Sequence, residues 1–406
     1  MKKFKLVTLL GIRPDYIRMF KLIKLLDEGQ KEHNYEHILV HSGQHYDPEL
    51  FGNFLKDLNI RTPDIDLGIG LTLKERGVNN YAAQTALLDE RVYEMLEKVK
   101  PDAVMYLGDT NTVLSSVIVA RYGLPVIHLE AGGRSFDWRM PEEKCRIVID
   151  HLSDALYSYL PRYKELLLAE GIADFRVLAI GNIIMDAVNE WKDKIAESRV
   201  LATVGVENKK FILTTIHREE NISKKEILEN KLKDMLKFSE EKGLPIVFPV
   251  MPRTWNNIEK FGLGGLIENK AFIKTKPLGF FDFLRLEAEA RLIVSDSGTV
   301  QEEALIVGTP CVITRRSTER PETISAGATI LEGFEGEGTL YAKMAEAWDM
   351  KTDWDRTILN PEGGSPSERV FEDLMSKIQE GYFGKSRDYE NIKNNSFVRK
   401  AYSKKI

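Results

Sequence analysis

The stretch from His128 to Arg146 gathers side chains that can move protons. It reads His128-Leu-Glu130-Ala-Gly132-Gly133-Arg134 and then Met140-Pro141-Glu142-Glu143-Lys-Cys145-Arg146. The apolar run before Glu130 has the composition of a buried strand. A carboxylate at the end of such a strand, next to a glycine turn, sits where open α/β sheets carry chemistry. Glu142 and Glu143 follow, with Arg134, Arg139 and Arg146 interleaved. Crowded carboxylates require cationic partners or raised pKa values, and both serve general acid–base catalysis. The same spacing also fits a solvated acidic loop capping a helix.

Other polar turns end apolar runs. Gly11-Ile-Arg13-Pro14-Asp15 follows the first run. Its glycine permits a tight turn, and Pro14 suits a first helical turn whose free N–H groups can face an anion. Arg13 adds a fork for phosphate, or points into solvent at an ordinary turn. Ser42-Gly-Gln-His45 and Gly108-Asp109-Thr110 end two further runs. Asp109 can orient a hydroxyl or exchange a proton; it or Thr110 can equally cap the next helix. His45 alone reads as a structural or surface histidine. In the second half, His217-Arg218-Glu219-Glu220 follows an apolar run. His217 and Arg218 can face a diphosphate, while the glutamates also suit a helix start. Asp296-Ser297-Gly298 opens a helix that carries Glu302 and Glu303. Ser297 and Gly298 offer donors to phosphates, and Glu303 can take two ribose hydroxyls; a capping box is the plainer reading. Arg320 is a further anion candidate.

Elements that position these turns alternate between strand and helix. Strands are expected at Lys5–Leu10, Tyr35–His41, Ala103–Leu107, Pro125–Leu129, Ala155–Tyr159 and Arg176–Ile180. A second series is expected at Phe211–Ile216, Ile246–Val250, Ala271–Lys274, Leu292–Ser295 and Cys311–Thr314. Helices fall between them, among them Thr112–Tyr122, Pro141–His151 and, near the end, Ser367–Gln379. Continuous Val/Ile/Leu runs joined by helices imply parallel sheets buried on both faces. The fold class is α/β: two Rossmann-like doubly wound domains facing a cleft. The boundaries fall at residues 1–183 and 184–366, with a helix and charged tail over 367–406. At 406 residues, 43% apolar and 29% charged, the chain is an ordinary globular protein. A net charge of −5 supplies no basic field for nucleic acid. No apolar run has membrane-spanning length. Two cysteines with no metal or redox spacing suggest a reducing cytoplasm. No P-loop or dinucleotide fingerprint is present, so ATP or NAD chemistry by those routes is unsupported.

In order along the chain, these blocks resemble the non-hydrolysing UDP-N-acetylglucosamine 2-epimerase family. The resemblance runs from Gly11 to about Gly327. It rests on G-x-R-P at Gly11, S-G-Q-H at Ser42, G-D-T at Gly108, H-x-E-A-G-x-R at His128 and P-E-E at Pro141. H-R-E at His217, D-S-G-x-x-Q-E-E at Asp296 and T-E-R-P-E at Thr318 complete it. The resemblance implies a glycosyltransferase-B-type pair of domains, with a C-terminal helix packing back toward the first. It implies Asp109, Glu130, Glu142 and His217 as catalytic residues. It implies Arg13, Arg18, Arg134, Arg146, Ser297, Gly298, Glu303 and Arg320 as UDP or substrate ligands. The implied reaction eliminates UDP to a 2-acetamidoglucal and adds it back on the epimerised sugar, with no metal and no cofactor. A UDP-sugar is the implied partner, and a homodimer the implied assembly. A hydrolysing relative, a glycosyltransferase and a sensor without turnover remain alternatives. Three positions depart from the family's best-known members: Cys145 stands for Asn, Glu219 for Arg and Met251 for His. The last two belong to a second, activating UDP-GlcNAc site, whose presence they argue against. Ser135–Glu143 looks more like relatives acting on modified UDP-HexNAc sugars.

Overall fold

A computed structural model describes residues 2–43, 48–78, 80–333 and 339–384. Gln44, His45, Tyr46 and Asp47, and the tail from Lys385, lie outside the described residues. The chain divides into two compact units: Met1–Ala187 with Leu359–Ile406, and Val188–Ile358.

In the first unit, β1 (Phe4–Leu10), β2 (Tyr35–His41), β3 (Ile65–Asp66), β4 (Ala103–Leu107), β5 (Val126–Ala131), β6 (Ala155–Ser158) and β7 (Val177–Ala179) form one sheet. Its order is β3-β2-β1-β4-β5-β6-β7, with every pairing parallel. β4 and β5 are buried throughout, as strands covered by helices on both faces must be. The chain reverses direction across the sheet between β1 and β4. Such a switch point opens a crevice at the carboxyl ends of the strands. Gly11, Gly108 and Glu130 stand at those ends.

The helix Arg13–Gly29 opens there too, with Pro14 in its first turn and Tyr16, Met19, Phe20, Ile23 and Leu26 on its buried stripe. The helix Pro366–Gln379 belongs to this unit. Its Ser367 N–H donates to Asp186 (2.8 Å), and Tyr157 donates to Asp373 (2.7 Å).

In the second unit, β8 (Ile212–Thr215), β9 (Ile246–Pro249), β10 (Phe272–Thr275), β11 (Leu292–Ser295), β12 (Cys311–Ile313) and β13 (Thr329–Leu331) are ordered β10-β9-β8-β11-β12-β13, again all parallel. Adjacent residues alternate between two apolar layers. Ile212, Ile246 and Leu292 pack with Met235 and Phe238, whereas Leu213, Val247 and Ile293 pack with Leu286 and Ala304. The switch point lies between β8 and β11, beside His217 and Asp296. Both units are therefore doubly wound and Rossmann-like, as expected.

Three local differences stand out. The strands β3 and β13 were not foreseen; two or three residues are too few to show a period. The expected helix Thr112–Tyr122 divides into a 3₁₀ turn, Asn111–Ser115, and an α-helix, Ser116–Arg121. There Ser115 Oγ donates to the Thr112 carbonyl (2.7 Å), a side-chain bond that competes with regular helix.

Candidate active site

Glu130 is the best-defined element of the site. It lies in a bulge of β5: Leu129 and Ala131 pair with consecutive residues of β6, leaving Glu130 between them unpaired. Its φ is +71°, a left-handed conformation that a non-glycine residue adopts at a cost of about 1 kcal/mol. Bulges of this kind re-aim a side chain. The carboxylate meets the Arg18 guanidinium and accepts from Tyr159 Oη (3.2 Å). Arg18 and Glu130 are both buried, so each satisfies a charge that water would otherwise solvate.

Asp15 lies one turn before Arg18. Its Oδ2 accepts the N–H groups of Gly11 (2.9 Å) and Ile12 (3.0 Å). Burial pushes its pKa up to about 7, against the opposing pull of those two N–H groups and Arg18, with nearby Glu130 adding to the rise. The two N–H groups of the turn just before the helix are thus engaged by the protein's own carboxyl. Arg13 lies with its guanidinium 5.8 Å from the Phe54 ring centroid.

A second network runs along the helix Pro141–Leu152. Glu143, Arg146 and Asp150 face inward and are buried. Arg146 grips Asp109 with one nitrogen and Glu143 with the other (2.9 Å). Glu143 also accepts from Ser135 N, Ser135 Oγ and Phe136 N, each at 2.9 Å. That carboxylate therefore pins the loop that leaves Phe136 and Trp138 exposed. Asp109 keeps 23% of its side chain accessible. It pairs with Arg146 instead of capping the next turn, and Thr110 makes no side-chain cap either. Glu142 is half-buried, with no hydrogen bond or ion pair among the described residues. Burial, with Asp109 and Glu142 nearby, pushes the Cys145 thiol up to about 12, which makes it an unreactive packing group.

His128 and Arg134 brace this edge from behind. His128 Nε2 donates to the Gly108 carbonyl (2.8 Å), and its Nδ1 lies 2.7 Å from Asp150 Oδ1. Asp150 Oδ2 accepts from Gly132 N–H (3.1 Å) and Arg134 (2.7 Å). Burial raises the Asp150 pKa, but His128 and Arg134 outweigh it and hold the carboxyl below its ordinary range. Arg134 also meets Glu170 twice and the Gly133 carbonyl, leaving its side chain 1% exposed. Its guanidinium is engaged by the fold.

In the second unit, Asp296 organises the turn after β8. Its Oδ2 accepts from His217 N–H (2.9 Å), Arg218 N–H (2.9 Å) and Asn221 Nδ2 (3.0 Å). The His217 ring is half-exposed, with Nδ1 3.1 Å from Asp296 Oδ1 but outside hydrogen-bond geometry. Ser297 precedes the helix Gly298–Val307 and makes no side-chain cap, so the capping box foreseen as an alternative is not formed. Gly298 has a structural reason: a Cβ there would lie 2.7 Å from Glu319 Oε1. Glu319 is itself held by Arg315 (2.7 Å). Glu303 is buried, and Arg320 pairs with fully buried Glu302 (2.6 Å).

The family model described as UDP-N-acetylglucosamine 2-epimerase matches residues 27–363. The chain belongs to that family. It is 37% identical over 343 residues to a UDP-N-acetylglucosamine 2-epimerase of Methanococcus maripaludis, spanning 83% of this chain and 90% of that protein. The crystal structure of the Methanocaldococcus jannaschii UDP-GlcNAc 2-epimerase in complex with UDP-GlcNAc and UDP superposes with a TM-score of 0.82 at 33% identity, over 92% of this chain and all of that one. A UDP-2,3-diacetamido-2,3-dideoxy-D-glucuronate 2-epimerase of Pseudomonas aeruginosa is 31% identical over 333 residues, 81% of this chain and 88% of that protein.

Within this epimerase-family chain, one set of groups gathers Arg18, Glu130 and Tyr159, and another Asp109, Arg146 and Glu143. His217, Ser297, Gly298 and Glu303 belong to the other unit. The sequence reading assigns no role to Asp15, Asp150 or Tyr159, and it names Glu143 and Asp296 only as members of their motifs. An acidic third helical residue is a signal for Asp15, whose carboxyl reaches back to the N–H groups before the helix although Ile12 offers no acceptor in return, and helical spacing places Glu143, Arg146 and Asp150 on one face.

Proposed function

We propose that this chain interconverts UDP-N-acetylglucosamine and UDP-N-acetylmannosamine, or a modified UDP-HexNAc pair, by eliminating UDP and adding it back. The observation that carries this reading is the set of carboxylates at the ends of β4 and β5. Asp109 is balanced by Arg146, Glu130 by Arg18, and Glu142 has no partner among the described residues. The C2 proton of a sugar is not acidic. A positioned base must take it as the C1–O bond to UDP breaks, and an acid must return it to the opposite face. Glu142 and partly open Asp109 suit proton exchange, and Glu130 suits the same work with its charge offset by Arg18.

The departing diphosphate needs cations and N–H donors. We assign His217, Arg13 and the Ser297–Gly298 helix start to that task, and Glu303 to the ribose hydroxyls. Arg134 and Arg320, engaged by acidic partners, act by holding shape. The stretch Ser135–Glu143 and the 31% identity to a UDP-2,3-diacetamido-2,3-dideoxy-D-glucuronate 2-epimerase support a substituted hexosamine as the substrate.

Two free, buried cysteines fit a reducing cytoplasm. We further infer a homodimer that supplies a polysaccharide-building reaction. The test is incubation with UDP-GlcNAc in D2O followed by NMR. Deuterium at C2 of recovered UDP-sugar, in both epimers, is expected. Free N-acetylmannosamine with UDP would identify a hydrolase. No change with UDP-GlcNAc, followed by C2 deuterium in a modified UDP-HexNAc, would assign the substituted sugar.

A further inference from the structure

Asp296 is the first residue after β11, and its carboxylate has no solvent access. Its two oxygens are used unequally. Oδ2 accepts three hydrogen bonds from the turn after β8: His217 N–H (2.9 Å), Arg218 N–H (2.9 Å) and Asn221 Nδ2 (3.0 Å). Oδ1 accepts none from the described residues. An unpaired oxygen on a buried carboxylate is costly and calls for a partner. His217 Nδ1 lies 3.1 Å from it, is itself buried, and has no hydrogen-bond partner among the described residues. That separation leaves no room for a bridging water. Only alignment is lacking, and rotation of the imidazole about its bond to Cβ is soft.

We infer that Asp296 is a positioning residue for His217: its Oδ1 accepts a hydrogen bond from Nδ1–H and so turns Nε2 outward to the nucleotide diphosphate. This rests on the reading that His217 meets the diphosphate. With the main-chain N–H of His217 on Oδ2 and the ring on Oδ1, one carboxylate fixes both the root and the plane of the side chain. The exposed part of the ring is the edge away from buried Nδ1, and that edge carries Nε2. With Nδ1–H engaged, Nε2 is the nitrogen that gains or loses a proton. It accepts when the ring is neutral and donates when the ring is charged. The carboxylate behind the ring stabilises the imidazolium that a phosphate oxygen requires.

Two measurements test this. The first is the His217 tautomer, read by 15N NMR on the full chain labelled at histidine, with His217→Gln assigning the signal. Above about pH 8, where an ordinary imidazole is neutral, Nδ1 is expected to carry a proton. A ring with no proton on Nδ1 overturns the inference. The second compares UDP binding by calorimetry in the parent, Asp296→Asn, His217→Gln and the double variant, each checked for folding by thermal melting. Asparagine must keep its carbonyl on the three turn donors, which leaves its NH2 group against Nδ1 and forces the opposite tautomer. Each single variant is expected to bind UDP about tenfold more weakly, the worth of one hydrogen bond to a charged group. The double variant is expected to bind no more weakly than His217→Gln, because Asp296 acts through that ring. Parent-like affinity in Asp296→Asn, or losses that add in the double variant, would overturn the inference by reducing Asp296 to a support for the turn. Unchanged UDP affinity in His217→Gln would instead overturn the diphosphate reading on which it rests.

Discussion

Replacing Arg18 by methionine tests the electrostatics of Glu130 in isolation. Their side chains are 10% and 6% exposed, so neither charge has water as an adequate substitute. Removing one partner of a buried pair costs about 3–5 kcal/mol, because the other charge is left uncompensated. Tyr159 still donates to Glu130, which places the expected cost near the lower end, about 3 kcal/mol. Methionine retains most of the apolar stem, so little of this loss is packing. In a domain of this size each kcal/mol shifts the melting temperature by about 2–4 °C, giving a drop of about 6–12 °C.

The double variant Arg18→Met/Glu130→Gln removes the stranded charge and should recover about 2 kcal/mol, read by urea denaturation. C2 proton exchange should fall in the single variant. If the single and double variants melt together, the cost is packing, and the electrostatic reading of Glu130 is wrong.

Two further outcomes follow from the geometry. Asp15 keeps its proton in the folded chain up to about pH 7, while an ordinary aspartate loses it near 3.8. Its stabilising contribution is therefore complete below about pH 4 and is lost as pH rises to 7, by up to about 4 kcal/mol. Asp15→Asn, which can still accept from Gly11 and Ile12, should lack that decline when unfolding free energies are compared from pH 5 to 8; parallel profiles would disprove it. Gly298→Ala should destabilise by about 1–2 kcal/mol and weaken UDP binding, because the new methyl meets a Glu319 carboxylate that Arg315 holds in place. In a Glu319→Ala background the same change should be harmless; an equal loss there would place the strain elsewhere.

Much of this architecture was legible in the chain itself. Mainly apolar runs such as those in Lys5–Leu10 and Leu292–Ser295 mark strands buried on both faces, and glycine-containing turns follow their carboxyl ends. What sequence could not supply is the choice of partners. Arg18 meets Glu130 across 112 positions, and Arg146 reaches Asp109 across 37. Arg134, close in sequence to the catalytic candidates, is instead taken by Asp150 and Glu170. Asp109 reads equally well as a cap or a catalyst until Arg146 is seen to grip it. Charge composition is local information, whereas charge pairing is tertiary, and here the pairing distinguishes groups held in structural brackets from those left available.

The central claim is that carboxylates at the ends of β4 and β5 exchange the C2 proton while separate residues hold UDP. The most direct measurement follows deuterium incorporation at C2 of the UDP-sugar in D2O for Glu130→Gln, alongside the UDP dissociation constant of the same protein. Loss of exchange with UDP affinity within about threefold is the predicted result. Retained exchange, or loss of UDP binding in a folded Glu130→Gln protein, would contradict it.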